Sequence, residues 1–592
     1  MIPAAGRRGP RPDPGQSHSA AAAGPTQGEA HRRRALETAR TRLLAAGLLF
    51  AFAFLVVAGR LVDLTVFGGE GRATVAASAA SIGRGNVVDR TGQILATSLP
   101  TPSVYADPKD ILDVDAAVRD LAQVFPDLDR QALKARLAGP GRFVWVRRMI
   151  TWDEKERVNR LGIPGIAFAT EPRRYYPNGR AAAHIVGLTD VDGRGTAGVE
   201  QSFDALLARG ETVHLSIDIR VQQLVRKELE QARREFNAIG AAGLVYDVET
   251  GEALAMVSLP DFDPNTPITD PTDDARFNRI TKGVYEMGST FKVFTVAMAL
   301  DAGATTLRGG YDASRPLRIS RFTISDYHAK GRWLSTPEVL IHSSNIGSAL
   351  MALDVGTSRQ KQYLQRFGLL SRAPIELPEV GVPLAPDPWR EINTMTIAFG
   401  HGLAVTPLNL VAGVAAVVNG GVLRRPTIIR QPDGEPVGGS QAINARTSKQ
   451  MCDLMRLVVE FGTGAKAEVD GYAVGGKTGT AEKLGGGRYL RNARIASFVG
   501  AFPMTAPRYV VLAMLDEPKG NRSTYNYATG GWVAAPVVGR IVRQMAPLLG
   551  MPPMGGTEAA QPAGAGKQVQ QRPKITVREA IARVQGKQFA AN

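Results

Sequence analysis

The stretch Tyr285-Glu286-Met287-Gly288-Ser289-Thr290-Phe291-Lys292, continued by the apolar positions Val293, Phe294, Val296, Ala297 and Leu300, decides how this chain folds. Its apolar pattern predicts a buried helix. Positions i and i+3 share one helix face, so the Lys292 amine can reach the Ser289 hydroxyl. Serine is a weak nucleophile without an adjacent base. A free lysine, with a pKa near about 10.4, is almost wholly charged at neutral pH. Burial and a neighbouring positive charge both favour its neutral form. An S-x-x-K pattern also arises by chance, as a helix cap followed by a solvated lysine, so its surroundings must decide.

Two further elements follow. Ser343-Ser344-Asn345 begins 343 − 289 = 54 residues later, in LIHSSNIGSAL, and Lys477-Thr478-Gly479-Thr480 begins 477 − 343 = 134 residues after that. Ser343 can pass a proton between Lys292 and a leaving or attacking amine, and Asn345 offers an amide to a peptide backbone. Lys477 and the hydroxyls of Thr478 and Thr480 suit a carboxylate, while Gly479 lets substrate lie against the strand. Oxyanion stabilisation needs two backbone N–H groups, which Ser289 and Thr480 can supply. S-x-x-K, S-x-N and K-T-G in this order form the signature set of penicillin-binding proteins and β-lactamases.

Working outward, Ala241 to Asp247, a turn at Glu249-Thr250-Gly251, and Ala253 to Leu259 read as a β-hairpin. Tyr472 to Thr480, Ile495 to Phe502 and Tyr509 to Leu515 are strand-like. Helical stretches lie between the two groups, one opened by Thr406-Pro407 and closed by Gly420-Gly421. Upstream, Arg84 to Gly92 reads as a strand entering a turn, and Asp115 to Leu137 as one helical stretch. Gly193-Arg194-Gly195-Thr196-Ala197-Gly198 satisfies the dinucleotide pattern G-x-G-x-x-G, but the repeated βα alternation around it is missing. It is expected to be a turn.

The sequence resembles class B penicillin-binding proteins, the monofunctional peptidoglycan D,D-transpeptidases, from about Arg42 to about Leu549. Arg84, Gly85, Asp89, Arg90 and Gly92 fit the R-G-x-x-x-D-R-x-G element of the family's non-catalytic dimerisation or pedestal domain. Arg173-Arg174-Tyr175-Tyr176-Pro177-Asn178-Gly179, Ala182-Ala183-His184-Ile185-Val186-Gly187 and Ala197-Gly198-Val199-Glu200-Gln201-Ser202-Phe203-Asp204 are similar to the division-specific branch. The chain departs from that branch at Gly400-His401-Gly402 and in its arginine-rich N-terminal tail. The resemblance implies an α+β penicillin-binding transpeptidase fold: a mixed, mainly antiparallel five-stranded sheet flanked by helices, with an N-terminal pedestal and a single transmembrane helix. It implies Ser289, Lys292 and Ser343 as catalytic and Asn345, Lys477, Thr478, Gly479 and Thr480 as substrate-binding. Donor and acceptor stem peptides of peptidoglycan and β-lactam antibiotics are the implied ligands, and a membrane-embedded glycan polymerase and other division proteins the implied partners. Neither metal nor cofactor is implied.

The 592 residues suffice for several folded units. One cysteine, Cys452, excludes a disulfide framework, and the seven histidines show no H-E-x-x-H spacing for zinc. The net charge of +16 is concentrated at the front. Before Leu43, eight arginines face three acids, 8 − 3 = +5. The 17 uncharged residues from Leu43 to Gly59 reach about 25 Å as a helix, and the run to Phe67 about 37 Å. These bracket a bilayer core of about 30 Å. With arginines on its N-terminal side, the segment is expected to place the tail in the cytoplasm and the catalytic region in the periplasm at the inner membrane. A cleaved signal peptide is the competing reading, and nucleic acid is not an expected partner. The expected division is a basic tail at 1–42, a transmembrane helix at 43–67, a pedestal at 68–225, a transpeptidase domain at 226–549 and a low-complexity, disordered tail at 550–592.

Other activities share parts of this pattern. An elongation-specific transpeptidase has the same chemistry. A carboxypeptidase or β-lactamase uses water as acceptor, without such a long N-terminal region. A membrane-bound penicillin sensor needs several spans and an effector. A vestigial scaffold would have lost Ser289, Lys292 or Lys477.

Overall fold

The structure, a computed structural model, describes residues 83–554 apart from 268–269, 271, 320–321, 433, 435–436 and 486–487, together with 575–587 and ten residues between 47 and 58. The chain divides into two units, 1–81 and 82–592. In the first, the ten described residues are helical and expose Leu48, Leu49, Phe52, Phe54, Leu55, Val56 and Val57. The expected tail at 1–42 and most of the expected span at 43–67 lie outside the described residues. Among the described residues, no helix is long and apolar enough to cross a membrane.

Beside a five-stranded sheet formed within residues 87–214, the second unit carries one sheet around which residues 219–548 are arranged. Its elements, in chain order, are α1 (Ile219–Glu235), β1 (Gly240–Asp247), β2 (Ala253–Leu259), α2 (Lys292–Asp301), α3 (Asn345–Val355), α4 (Pro407–Val418), α5 (Ala445–Phe461), β3 (Gly475–Gly485), β4 (Arg488–Phe502), β5 (Tyr509–Asp516) and α6 (Ala535–Leu548). The sheet order is β3-β4-β5-β1-β2, and all four pairings are antiparallel. The expected parallel contribution lies elsewhere, in a short pairing of Val87–Val88 with Val213–His214.

Strand β5 explains why these strands read as continuous apolar runs. Val510, Leu512 and Met514 enter one core with α2, α4 and α5. Val511, Ala513 and Leu515 enter a second core with α1 and α6. Side chains alternate between faces, and here both faces are covered. The β1–β2 turn is set by Asp247, whose Oδ1 accepts the N–H groups of Glu249 and Thr250 at 2.9 and 3.2 Å, and by Gly251 at φ +79°. Helix α4 begins where expected: Thr406 accepts the Asn409 N–H at 3.1 Å, and Pro407 occupies the first turn. All twelve of its residues are buried, as suits a helix packed on every side. Helix α1 spans residue 225 and packs against β1 and β2 throughout, so a boundary at 225 would cut it.

Three further expectations are resolved physically. The stretch 115–137 is two helices, Val114–Val124 and Arg130–Leu137. Pro126 disfavours helical backbone at Phe125, and Asp129 caps the second helix by accepting the Ala132 N–H at 2.9 Å. The G-x-G-x-x-G segment is a turn and short strand. A Cβ on Gly195 would lie 1.9 Å from the Glu200 carbonyl oxygen, so close backbone packing requires the glycine. Residues 577–587, expected to belong to a disordered tail, form a helix. Ala580, Ile581 and Val584 recur at helical spacing and bury into the core beside α5.

The motifs shared with the pedestal domain meet at Glu200. Its carboxylate accepts Arg84 Nε and Arg174 Nε, each at 2.6 Å, while Arg84 Nη1 also reaches Asp204 at 2.7 Å. Glu200 is fully buried. Asp89, also fully buried, accepts the Ile219 N–H at 3.0 Å and so ties the upstream turn to α1. Glu200→Ala leaves two guanidinium groups without their shared carboxylate. It should destabilise the protein by about 3–5 kcal/mol, as removal of one partner of a buried ion pair does. Urea unfolding of the purified protein checks this, and an unchanged midpoint would refute it.

Candidate active site

Ser289 lies in a 3-10 turn, Gly288–Phe291, that runs directly into α2 at Lys292. The sequence predicted helix here, and the tighter turn serves the same end more directly, because positions i and i+3 eclipse in a 3-10 helix. Gly288 has φ +53°, and a Cβ there would sit 2.6 Å from the Thr480 carbonyl oxygen. On the other side, a Cβ on Gly400 would sit 2.0 Å from the Gly288 carbonyl oxygen. The nucleophile turn is thus wedged between β3 and the Gly400-His401-Gly402 loop.

Lys292, fully buried, has four oxygen neighbours. Its Nζ lies 2.9 Å from Ser289 Oγ, 2.8 Å from the Ser343 carbonyl oxygen, 3.1 Å from Ser343 Oγ and 2.7 Å from Asn345 Oδ1. The two carbonyl-type oxygens can only accept. A neutral amine donates its two N–H bonds to them and turns its lone pair to a hydroxyl. Burial drives the Lys292 pKa well below the ordinary lysine value, and the charge of Lys477 lowers it further. A lysine suited to act as a base therefore lies at hydrogen-bond distance from the Ser289 hydroxyl.

Ser343 holds a left-handed backbone conformation, φ 59°, which is uncommon for a residue with a side chain. Its hydroxyl accepts Lys477 Nζ at 2.9 Å while facing Lys292. One side-chain oxygen therefore bridges two buried lysines. Burial pushes Lys477 down from 10.5 to about 7. Thr478 Oγ1 is 2.8 Å from Thr463 Oγ1, and Thr480 Oγ1 accepts the Gly530 N–H at 3.1 Å.

Two of the expected substrate-binding positions have close protein neighbours. Asn345, expected to hold peptide backbone, accepts from Lys292 and donates Nδ2 to the Ser325 carbonyl at 2.9 Å. The space beside Gly479 is filled by protein: a Cβ would lie 2.5 Å from Ser497 Oγ and 2.6 Å from the Met287 carbonyl oxygen. The glycine lets β3 press against the nucleophile turn.

Sequence reading missed Asp326. It accepts the Ser344 hydroxyl at 2.7 Å and the Asn345 and Ile346 N–H groups at 2.6 and 3.0 Å. It anchors the N-terminus of α3, which carries Ser343 and Asn345 at its mouth, from 18 residues upstream of Ser344. No local motif marks it. Glu286 is committed in a similar way, accepting the Gly402 N–H at 2.8 Å and the Tyr489 hydroxyl at 3.1 Å. His401, in the departing motif, packs its ring 5.9 Å from Tyr489 and 5.4 Å from Phe399.

A serine with a buried lysine base, joined through a second serine to a second lysine, on a helix-covered antiparallel sheet, defines a serine acyl-transfer enzyme. Residues 241–543 match the Penicillin binding protein transpeptidase domain, and residues 80–216 match the Penicillin-binding Protein dimerisation domain. The chain belongs to the class B penicillin-binding proteins. It is 42% identical over 482 residues to the probable peptidoglycan D,D-transpeptidase FtsI of Caulobacter vibrioides, covering 79% of this chain and 82% of the relative. It is 33% identical to the Escherichia coli peptidoglycan D,D-transpeptidase FtsI, covering 85% of this chain and 90% of the relative. Among solved structures, penicillin binding protein 3 of Mycobacterium tuberculosis complexed with ampicillin superposes with a TM-score of 0.64 at 25% identity, covering 81% of this chain and 97% of that one.

The two lysines must carry opposite charge states for acylation by a carboxylate-bearing penicillin, Lys292 neutral and Lys477 protonated. The acylation rate constant should therefore rise with pH as the base deprotonates, then fall above about 7 as Lys477 loses its proton. Lys477→Arg keeps the charge and should remove the alkaline limb. Stopped-flow acylation across pH 5–10 gives the profile, and a persisting alkaline limb in the variant would contradict the assignment.

Proposed function

We propose that this chain cross-links peptidoglycan stem peptides during septal wall synthesis, with Ser289 as nucleophile and Lys292 as base. The observation that carries the proposal is the Ser343 hydroxyl held between Lys292 and Lys477. Ser289 Oγ attacks the carbonyl carbon of a D-Ala-D-Ala peptide bond, and its proton passes to Lys292. Backbone N–H groups of Ser289 and Thr480 receive the developing oxyanion. The C–N bond breaks, and the departing D-Ala amine takes its proton through Ser343. An amine of a neighbouring stem peptide then attacks the Ser289 ester. Its proton returns along the same path, an amide cross-link forms, and Ser289 leaves as the alcohol. Lys477, Thr478 and Thr480 receive the donor carboxylate, and β-lactams acylate the same serine.

Amine rather than water as acceptor is supported by where the carboxylates are. Efficient hydrolysis of such an ester needs a positioned base for water. Glu376 accepts Thr427 Oγ1 and the Ile428 N–H, and Glu379 accepts the Gly198 N–H. Glu391 begins a separate helix, Glu391–Ile397. Asp326 and Glu286 are occupied as described. Among the described residues, none of these carboxylates bonds to Ser289, Lys292, Ser343 or Lys477. Peptide mapping after penicillin treatment should place the adduct on Ser289. Intact-mass spectrometry should show it persisting well beyond an hour after drug removal, since a barrier higher by ~4 kcal/mol lengthens the lifetime about a thousandfold. An adduct on Ser343, or rapid return to unmodified mass with drug consumption, would overturn the assignment.

The same proposal includes an uncleaved inner-membrane anchor at 43–67, a cytoplasmic tail, a periplasmic catalytic region and contact with a membrane-embedded glycan polymerase and other division proteins. The arginine bias and the uncharged run support it. Protease added to spheroplasts should spare only the tail and anchor. Release of a soluble protein beginning near Ser78 or Ser81 would show a cleaved signal instead.

A further inference from the structure

Away from the nucleophile, a cleft of about 370 Å³ opens between the segment after helix Thr357–Arg366, one side of α4, and the ribbon of Val422–Arg424 with Gly439–Gln441. This volume is within the range of small-ligand sites, roughly 300–1,000 Å³. Its charged lining among the described residues consists of Arg372, Arg424 and Arg425, with no carboxylate among them. Backbone carbonyls hold the three guanidinium groups in place. Arg372 Nη2 donates to Pro378 at 3.0 Å, Arg425 Nε to Pro374 at 2.8 Å, and Arg424 Nη1 to Val437. Carbonyls satisfy N–H groups without cancelling charge. Among the described residues, Arg425 has an acid within reach, Glu376 at 3.9 Å. Arg424 Nε is buried and has no acceptor. A buried donor without a partner is costly, and an arriving oxyanion would satisfy it.

We propose that this cleft binds a phosphate group carried by a molecule with an apolar portion. Three guanidinium forks exceed what the two oxygens of one carboxylate can accept, whereas a phosphate offers more acceptor oxygens and more charge. The remaining lining explains the apolar portion: Leu423 and Pro374 present apolar surface to the same cleft. Free phosphate esters and lipid headgroups share this chemistry. The cleft is separate from the hydrogen-bond network of Ser289, and the inference does not depend on the acyl-transfer reading.

Isothermal titration at matched ionic strength tests it with three probes: inorganic phosphate, inorganic diphosphate and dihexanoyl phosphatidylglycerol below its micelle concentration. The full chain should bind at least one saturably. Arg372→Gln/Arg424→Gln should weaken that binding by about tenfold or more, while its rate of acylation by penicillin matches wild type and so reports a folded protein. Arg372→Gln alone, at an exposed position, serves if the double variant does not fold. Tighter binding of the lipid assigns a headgroup as source, and tighter binding of diphosphate a soluble ester. Absence of saturable binding by all three, or equal binding by the variants, would overturn the proposal.

Discussion

The site depends on one hydroxyl. Ser343 Oγ stands 2.9 Å from Lys477 Nζ and 3.1 Å from Lys292 Nζ, so two buried lysines share a neutral bridge. Two ammonium ions so close and so buried would repel and lack hydration, which drives at least one of them to neutrality. Burial alone does not decide which. Lys292 is also lowered by the charge of Lys477, whereas Lys477 is lowered by desolvation only. The asymmetry places the lone pair beside Ser289 and leaves the remaining charge at the strand, where a carboxylate can use it.

Much of the rest of the fold serves to hold that bridge. Lys292 comes from the first turn of α2, Ser343 from the residue pair ahead of α3, and Lys477 from the edge strand β3. Each element is fixed from a different direction. The apolar face of α2 fixes the first, Asp326 anchors the second, and Gly479 allows β3 to meet the nucleophile turn without a side chain between them. The upstream region is joined to this framework through Asp89 and α1, and stabilised internally by Glu200 between two arginines.

The sequence made the chemistry legible because Ser289 and Lys292 are local to one turn, and because three short motifs carry residue types with few alternative uses in combination. The strands were legible for a similar reason: β1, β2 and β5 are mainly apolar, buried at every position and bounded by turn residues. Asp326 was illegible because its role is a hydrogen-bonding relation across a loop. The protein neighbours of Asn345 and Gly479, namely Lys292 and Ser325 for the first and Met287 and Ser497 for the second, were illegible, since a motif fixes residue types and leaves open which side each atom faces. The helix at 577–587 was hidden by the Gly- and Pro-rich segment before it, although Val577, Ala580, Ile581 and Val584 already had helical spacing.

Attack by Ser289 through this bridge requires Lys292 to be neutral in the resting protein at neutral pH. That charge state can be measured directly by NMR titration of protein carrying ¹³C-labelled lysine, with the Lys292 signal assigned by its loss in Lys292→Met. Its Cε resonance should already have the shift of an uncharged amine at pH 7 and move only at lower pH. A Lys292 that stays protonated until the ordinary lysine range would contradict that requirement.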